Sequence, residues 1–237
     1  MLGARLLDGR GRDLVFGGQV MKNVAGYDVS RLLAGSLGTL GLILEVSLKV
    51  LPRPAAEQTL RLQLGEAQAL ERLNRWAASA LPVSATAWRD GELAVRLSGA
   101  ASAVRAAAEK IGGERVEAAP AARFWSGIRE QTDAWFAGEE PLWRVSVPAH
   151  AAPLELPDRQ LIEWGGALRW LKGGGEPVAL RAAAERLGGH ATLFRAAQKP
   201  AAVFAPLSPI LARLHRELKQ AFDPAGILNR GRLYPEF

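Results

Sequence analysis

An internal repeat is the feature that most constrains the fold of this chain. Residues 103–113 read AVRAAAEKIGG, and residues 179–189 read ALRAAAERLGG. Each copy predicts an alanine-rich helix that ends at a glycine pair, because glycine accepts the left-handed conformation common at helix C-termini. Two hydrophobic segments typical of paired strands precede each helix, at 83–97 in the first copy and 161–171 in the second.

The repeat predicts an α+β fold. Two strand–strand–helix–strand units would form one antiparallel sheet with both helices on one face, a ferredoxin-like plait. Chance similarity between two alanine-rich helices is the alternative, and the matched glycine pairs favour duplication. The second copy has His190 where the first has Glu114, and Arg169-Trp170 where the first has Ala94-Val95. We therefore expect the second copy to face a ligand.

The residues outside the repeat predict a second region. Residues 3–18 indicate a hairpin, 29–34 a short helix and 40–51 a β-rich run. Pro52 and Pro54 mark a domain boundary, because proline cannot continue a central strand. Ser208 and Pro209 predict the start of a final amphipathic helix. We expect the apolar tail after it, residues 227–234, to pack near residues 20–41.

Composition excludes several classes of function. The chain has no cysteine, so it cannot by itself build an iron–sulfur cluster, and its three histidines are too scattered to predict a metal site. The net charge is +6, but the basic residues are dispersed and lack stacking motifs, which argues against nucleic-acid binding. No apolar run is long enough to cross a bilayer, so we expect no transmembrane segment and a cytoplasmic protein.

A glycine-rich segment, residues 35–41 (GSLGTLG), leads into the β-rich run. Glycines spaced by three let a backbone approach a phosphate closely and direct N–H groups at it. The segment lacks the Gly-Lys-Ser/Thr ending of a Walker loop, and no Rossmann strand precedes it. On pattern alone, a phosphate-binding loop and a tight helix-to-strand turn are equally good interpretations.

Four long motifs carry a family resemblance. They are MKNVAGYD at 21–28, WGGALRW at 164–170, GGHAT at 188–192 and FDPAGILN at 222–229. With the glycine segment, they resemble the flavin-binding subunits of bacterial glycolate oxidase, within the vanillyl-alcohol-oxidase (PCMH-type) family of FAD-binding proteins. The resemblance implies the second part of the FAD-binding domain in residues 1–52 and a ferredoxin-like cap in 53–205. Residues 206–237 would form a helix and tail that return to the FAD domain.

The resemblance implies FAD as the cofactor and assigns residues to it. Those implied to line the pyrophosphate and ribose are Gly35, Ser36, Gly38, Thr39 and Gly41. Those implied to form the flanking loop are Asn23, Val24, Ala25, Gly26 and Tyr27. Asn229 and Arg232 would return to the flavin ring. Nothing here matches the family's first phosphate loop, so we expect an N-terminally truncated chain that holds FAD weakly or not at all.

The resemblance also implies an activity, the FAD-dependent oxidation of the 2-hydroxy acid glycolate to glyoxylate. The partners would be a larger flavin subunit and an iron–sulfur subunit, with the complex peripheral at the inner membrane. Arg169 could clamp the carboxylate of the acid, and His190 could act as the base. The structural alternatives are a solvated strand face for Arg169 and a sheet edge for His190. The alternative function is a non-catalytic assembly module of the complex that has lost flavin binding.

Overall fold

The computed structural model describes residues 1–18, 28–154, 156, 159–173, 176–198 and 202–236. The chain divides into two compact units. The first unit combines residues 1–52 with 200–237, and the second consists of residues 53–199. Among the described residues, no helix is long and apolar enough to cross a membrane.

The first unit contains a three-stranded antiparallel sheet. Its strands are β1 (Gly3–Leu7), β2 (Asp13–Gly17) and β3 (Leu42–Ser47), in the order β2-β1-β3. The predicted hairpin is present, and its turn is built on Asp8, whose side chain accepts hydrogen bonds from the N–H groups of Arg10 and Arg12. The short helix α1 spans Val29–Leu32. The β-rich run forms a shorter strand than expected, and most of its side chains are exposed.

The last helix, α6 (Pro209–Phe222), begins where the sequence predicts. The Ser208 hydroxyl accepts a hydrogen bond from the N–H of Leu211, and Pro209 occupies the first turn. Leu218 and Phe222 of this helix pack on a small core formed by Ala4, Leu6, Leu33 and Leu40. Packing of these two partly buried side chains holds α6 against this core.

The second unit is built on one eight-stranded antiparallel sheet. The strands are β4 (Ala56–Gln63), β5 (Val83–Arg89), β6 (Glu92–Gly99), β7 (Glu114–Val116), β8 (Leu142–Ser146), β9 (Arg159–Glu163), β10 (Leu168–Lys172) and β11 (His190–Arg195). The helices are α2 (Glu66–Ala77), α3 (Ala101–Ile111), α4 (Ala118–Glu130) and α5 (Pro177–Arg186). The strand order is β11-β8-β10-β9-β5-β6-β4-β7.

This order contains two ferredoxin-like plaits joined edge to edge. The first plait consists of β4–β7 and the second of β8–β11, and in each the spatial order is fourth, first, third, second strand. The second strands, β5 and β9, pair antiparallel at the junction through Ala87 with Glu163 and Trp88 with Ile162. The sequence predicted one plait made of two related units. The structure extends that expectation, because each unit is itself a four-stranded plait.

The two repeated helices lie on the same face of this sheet, as predicted. Helix α3 packs through Val104 on a cluster that includes Val95 of β6. Arg181 of α5 stacks on Trp143 of β8. Residues opposite each other in an antiparallel pair share a face. Traced through the pairings of β6 with β5, β5 with β9, β9 with β10 and β10 with β8, the face that holds Val95 also holds Trp143. We call this the helix-covered face, and the opposite one the open face.

Helix α4, which the sequence analysis did not predict, packs on the open face. Trp125 and Ala121 contact Ala87 and Ala94, and the Trp125 Nε1–H donates to the Thr59 hydroxyl at 2.8 Å. A short 3-10 helix, Ala134–Phe136, covers the second plait on the same face, where it contacts Trp170. The rest of the open face is left as a cleft.

Candidate functional site

The glycine segment of the first unit forms a tight turn with an unusual backbone. Leu37 and Gly38 both have positive φ values, 52° and 73°, and the N–H of Thr39 donates to the carbonyl of Ser36 at 3.0 Å. Two left-handed residues at the centre of a four-residue turn are typical of type I′ turns. Glycine tolerates this conformation, but a leucine in it stores strain on the order of 1–3 kcal/mol, and such strain concentrates at functional sites.

The hydroxyls of the turn are used inside the chain. Ser36 Oγ donates to the carbonyl of Leu33 at 2.9 Å, and Thr39 Oγ1 donates to the carbonyl of Ser36 at 2.7 Å; both side chains are buried. Gly41 is a close-packing position, because a Cβ there would lie 2.6 Å from the side chain of Leu6. These three residues therefore shape the turn.

A buried ion pair attaches the turn to the C-terminal tail. The Lys219 Nζ donates to Asp223 Oδ2 at 2.6 Å, to the carbonyl of Leu228 at 2.6 Å and to the carbonyl of Thr39 at 2.9 Å. Asp223 also accepts the N–H groups of Ile227 and Leu228. Burial alone would raise the pKa of Asp223, but the Lys219 ammonium and the two N–H donors outweigh it, so this pKa is lowered.

The tail then reaches the turn directly, which confirms the expectation that it packs near the glycine segment. Asn229 Nδ2 donates to the carbonyl of Leu37 at 2.6 Å. A Cβ at Gly38 would lie 2.7 Å from the same Nδ2 atom and would displace it, and the positive φ of 73° also favours glycine there. Arg232 is exposed, and its N–H donates to the carbonyl of Asn229 at 3.1 Å. The predicted flanking residues Asn23, Val24, Ala25, Gly26 and Tyr27 lie outside the described residues.

Arg169, the predicted carboxylate clamp, lies on the helix-covered face of the second unit and is fully buried. Its guanidinium donates to three carbonyls, those of Ala151 at 2.6 Å, Ala152 at 2.6 Å and Gly166 at 3.2 Å. Val95 of the first plait lies on this same face, whereas Ala94 lies on the open face. The sequence analysis placed Arg169 opposite Ala94 in the repeat, and that alignment is therefore wrong by one residue. With its donors engaged inside the chain, Arg169 lacks the geometry of a substrate clamp.

His190 and Trp170 lie on the open face instead. His190 is exposed on the edge strand β11 and is opposite Ser146 of β8. Two residues along the same strands, Thr192 is opposite Arg144. Arg144 is therefore a diagonal neighbour of His190 on one face, and such residues lie about 7–8 Å apart, with their Cβ atoms somewhat closer. The sequence analysis missed Arg144, although its strand carries the signal: buried Trp143 and Val145 alternate with the partly buried polar residues Arg144 and Ser146.

A carboxylate and two tryptophans accompany Arg144. Its guanidinium lies over the ring of Trp164, 5.4 Å from the centroid. Trp170 Nε1 donates to Glu163 Oε2 at 2.7 Å. Burial raises the pKa of Glu163, and this effect outweighs the hydrogen bond from Trp170 and the attraction of Arg144, which lower it. Cation, acid and aromatic rings together make a polar pocket that suits a small anion.

The chain is similar in sequence to subunits of glycolate oxidase. No protein-family model matches it. It is 47% identical over 236 residues to glycolate oxidase subunit GlcE of Escherichia coli (strain K12), a match that covers 100% of this chain and 65% of that protein. It is also 40% identical over 60 residues, 25% of this chain and 13% of the relative, to glycolate oxidase subunit GlcD of Bacillus subtilis (strain 168). The chain thus spans about two thirds of the length of the longer match.

Among solved structures, alkyldihydroxyacetonephosphate synthase has the same fold. One crystal form superposes with a TM-score of 0.55 at 12% identity and covers 96% of this chain and 53% of that one. A second form gives 0.56 at 13% identity. The predicted class, an α+β protein with antiparallel sheets and a ferredoxin-like plait, is confirmed. Within that class, the predicted resemblance to the subunits of bacterial glycolate oxidase is also confirmed.

Proposed function

We propose that this chain is an FAD-binding subunit of a complex that oxidises a small 2-hydroxy acid, glycolate, to glyoxylate. The observation that carries the proposal is the 47% identity to GlcE along the whole chain. The strained, tail-clamped glycine turn supports it. The chain has no cysteine with which to hold an iron–sulfur cluster, and the proposed partners are an iron–sulfur subunit and a larger flavin subunit. The proposed location is the cytoplasm, with the complex peripheral at the inner membrane.

The glycine turn fits a phosphate group in its backbone. Within the part of the chain that the structure describes, the N–H groups of Leu37 and Gly38 have no hydrogen-bond acceptor, and a Cβ at Gly35 would meet no atom within 4 Å. Gly35 and Gly38 would therefore approach the pyrophosphate, while Ser36, Thr39 and Gly41 hold the turn in shape. Asn229 would position Leu37, and Arg232 would supply positive charge. A bound flavin would accept the electrons of the oxidation.

We assign this role to residues 1–52 and 206–237, and the handling of the acid to residues 53–205. In this division, Asn23 to Tyr27 flank the cofactor. His190 is the proposed base that takes the hydroxyl proton of the acid, because its exposed imidazole lies on the open face, diagonal to Arg144. Arg169 contributes indirectly, by holding the loop that contains Ala151 and Ala152.

A titration of FAD into the purified chain tests the cofactor proposal. We expect saturable quenching of flavin fluorescence, and a several-fold weaker affinity in Gly35→Ala, whose methyl group would project into the space left for the phosphate. Gly11→Ala is the matched control, because Gly11 also has a positive φ, 72° against 83°, and also has no atom within 4 Å of an added Cβ. Equal loss of affinity in both variants would contradict the proposal.

One observation favours the second candidate function, an assembly module without flavin. Strand β3 is an edge strand, and its side chains Leu42, Leu44 and Val46 are all exposed. Exposed apolar edge strands pair readily with other chains. If the FAD titration shows no binding while the chain still co-purifies with its partner subunits, the assembly function replaces the first proposal.

A further inference from the structure

We propose that Arg144 binds the carboxylate of a small hydroxy acid on the open face of the eight-stranded sheet. This inference rests on the proposed function for the identity of the acid. It assigns the cation that recognises the substrate to β8, the strand next to the one that carries Arg169.

The position of Arg144 provides room for a ligand. A cleft of 1580 Å³ is lined by residues of the second unit that include Arg144, Glu163, Trp164, Trp170 and Phe194. The register places Trp170 of β10 and Thr192 of β11 on either side of Arg144, on the same face. Arg144 thus lies at the centre of the second plait, between an indole and a hydroxyl, and it is only partly buried.

The guanidinium of Arg144 is available to a ligand. Among the described residues it donates no hydrogen bond and has no carboxylate within 4.0 Å, whereas other arginines of this unit are engaged. Arg89 pairs with Asp133, and Arg96 donates to the Ser84 hydroxyl at 2.9 Å. A planar guanidinium held over an aromatic ring keeps its N–H edge free for a bidentate contact with a carboxylate.

The partner ring is held in a strained conformation. Trp164 has a φ of 51°, and 64% of its surface is exposed, which is unusual for a tryptophan. The N–H of the next residue, Gly165, donates to the Thr86 hydroxyl of β5 at 2.9 Å and fixes this turn on the sheet. A bulky residue with positive φ is costly and persists where the surroundings impose it. Here the strain places an indole under Arg144.

Two more groups complete the pocket for a hydroxy acid. Glu163 is hydrogen-bonded to Trp170 and does not neutralise Arg144 through a direct ion pair. His190 is the diagonal neighbour of Arg144 across β8 and β11. A carboxylate on Arg144 would place the adjacent hydroxyl carbon of a two-carbon acid toward one of these polar groups. The pocket therefore matches a small monocarboxylate with a neighbouring hydroxyl.

Binding of glycolate to the flavin-free chain tests this site without any turnover. Calorimetry and tryptophan fluorescence should detect saturable glycolate binding, since Trp164 and Trp170 line the pocket. Ethylene glycol, a two-carbon alcohol of similar size without a carboxylate, should not bind. Arg144→Met should weaken glycolate binding at least ~10-fold, and Arg144→Lys should weaken it less, because the charge remains while the bidentate geometry is lost.

Arg96→Met is the matched control. Arg96 also lies over a tryptophan, Trp125, at 5.6 Å, and it also lines the cleft, but in the first plait. We expect its affinity for glycolate to equal that of the unmodified chain. An unchanged affinity in Arg144→Met, an equal loss in Arg96→Met, or no glycolate binding at tens of millimolar would overturn the proposal. Thermal unfolding of each variant separates loss of binding from loss of structure.

The FAD titration keeps the two proposals distinguishable. Arg144→Met should bind FAD as the unmodified chain does, because Arg144 and the glycine turn belong to different units. Loss of FAD binding with intact, Arg144-dependent glycolate binding would overturn the cofactor proposal and support this one. If FAD still binds and the affinity for glycolate does not depend on Arg144, the cofactor proposal is supported and the Arg144 proposal is overturned.

Discussion

The two plaits share their strand order but differ in the segment that connects their first and second strands. This difference explains why Arg169 is buried. In the first plait, β4 leads into α2, a helix of 12 residues. In the second, the described residues between β8 and β9 form no helix. A helix satisfies its own carbonyls, whereas an irregular segment leaves them to be satisfied by other donors.

Arg169 supplies those donors in the second plait. Its guanidinium contacts the carbonyls of Ala151 and Ala152 in this connection, and that of Gly166 in the turn before β10. The helix-covered face of the first plait has Leu93 and Val95 in the corresponding strand, where α2 and α3 pack on them. Arg169 belongs to one of the motifs that carry the family resemblance, but its contacts show a structural role. The ligand-facing cation is then a neighbour on the opposite face.

Replacing Arg169 should produce the largest effect. Arg169→Leu leaves three carbonyls without their donor, and each buried unsatisfied group costs about 1–3 kcal/mol, so we expect the free energy of unfolding to fall by about 3 kcal/mol or more. Urea unfolding measures it. Arg96→Leu in the first plait should cost less than about 1 kcal/mol, because its ion pair with Glu57 is long and partly exposed. Similar losses in the two variants would show that the plaits do not differ as described.

The ion pair between Arg89 of β5 and Asp133 before β8 connects the two plaits. Burial alone would raise the pKa of Asp133, but its hydrogen bonds from Arg89 and from the N–H of Trp135 outweigh this, and the pKa is lowered. A lowered pKa stabilises the fold above the unfolded value of about 3.9, and this stabilisation is lost as the pH falls through the folded value.

Arg89→Met should therefore lower the free energy of unfolding by about 2 kcal/mol at pH 7. The difference from the unmodified chain should shrink as the pH falls below the unfolded value of about 3.9 and through the lowered pKa of Asp133. Urea unfolding at a series of pH values provides the measurement. A difference that stays constant with pH would mean that the charge of Asp133 contributes nothing to the junction.

Replacing Glu163 of β9 should raise the free energy of unfolding instead of lowering it, and by the smallest amount of the three variants. Its pKa is raised by burial, so its ionisation destabilises the fold as the pH rises through the folded value. Glu163→Gln removes this ionisation and can still accept the hydrogen bond from Trp170. We expect the variant to gain stability relative to the unmodified chain between about pH 4 and pH 7, by less than about 1 kcal/mol. Thermal unfolding across this range should show the gain; a relative loss would contradict the raised pKa.

The sequence predicted those features that depend on local chemistry. The glycine pairs after α3 and α5, the Ser208 cap and the turn at Asp8 each follow from a residue and its neighbours. Helix α4 was not predicted, because its alanines carry little periodic signal. The role of Arg169 was not predictable either, because it depends on which face of the doubly buried strand β10 its side chain occupies. That choice is made by cross-strand register, which a single sequence does not contain.

The bond between Lys219 and Thr39 joins residues 180 positions apart, and that between Asn229 and Leu37 joins residues 192 positions apart. A ribosome that adds about 5–20 residues per second needs roughly 10–40 s to make the second partner after the first. During that time the glycine turn lacks the donors that fix its left-handed residues. The turn is therefore completed late in synthesis, and any cofactor that it holds is loaded after the eight-stranded sheet has been translated.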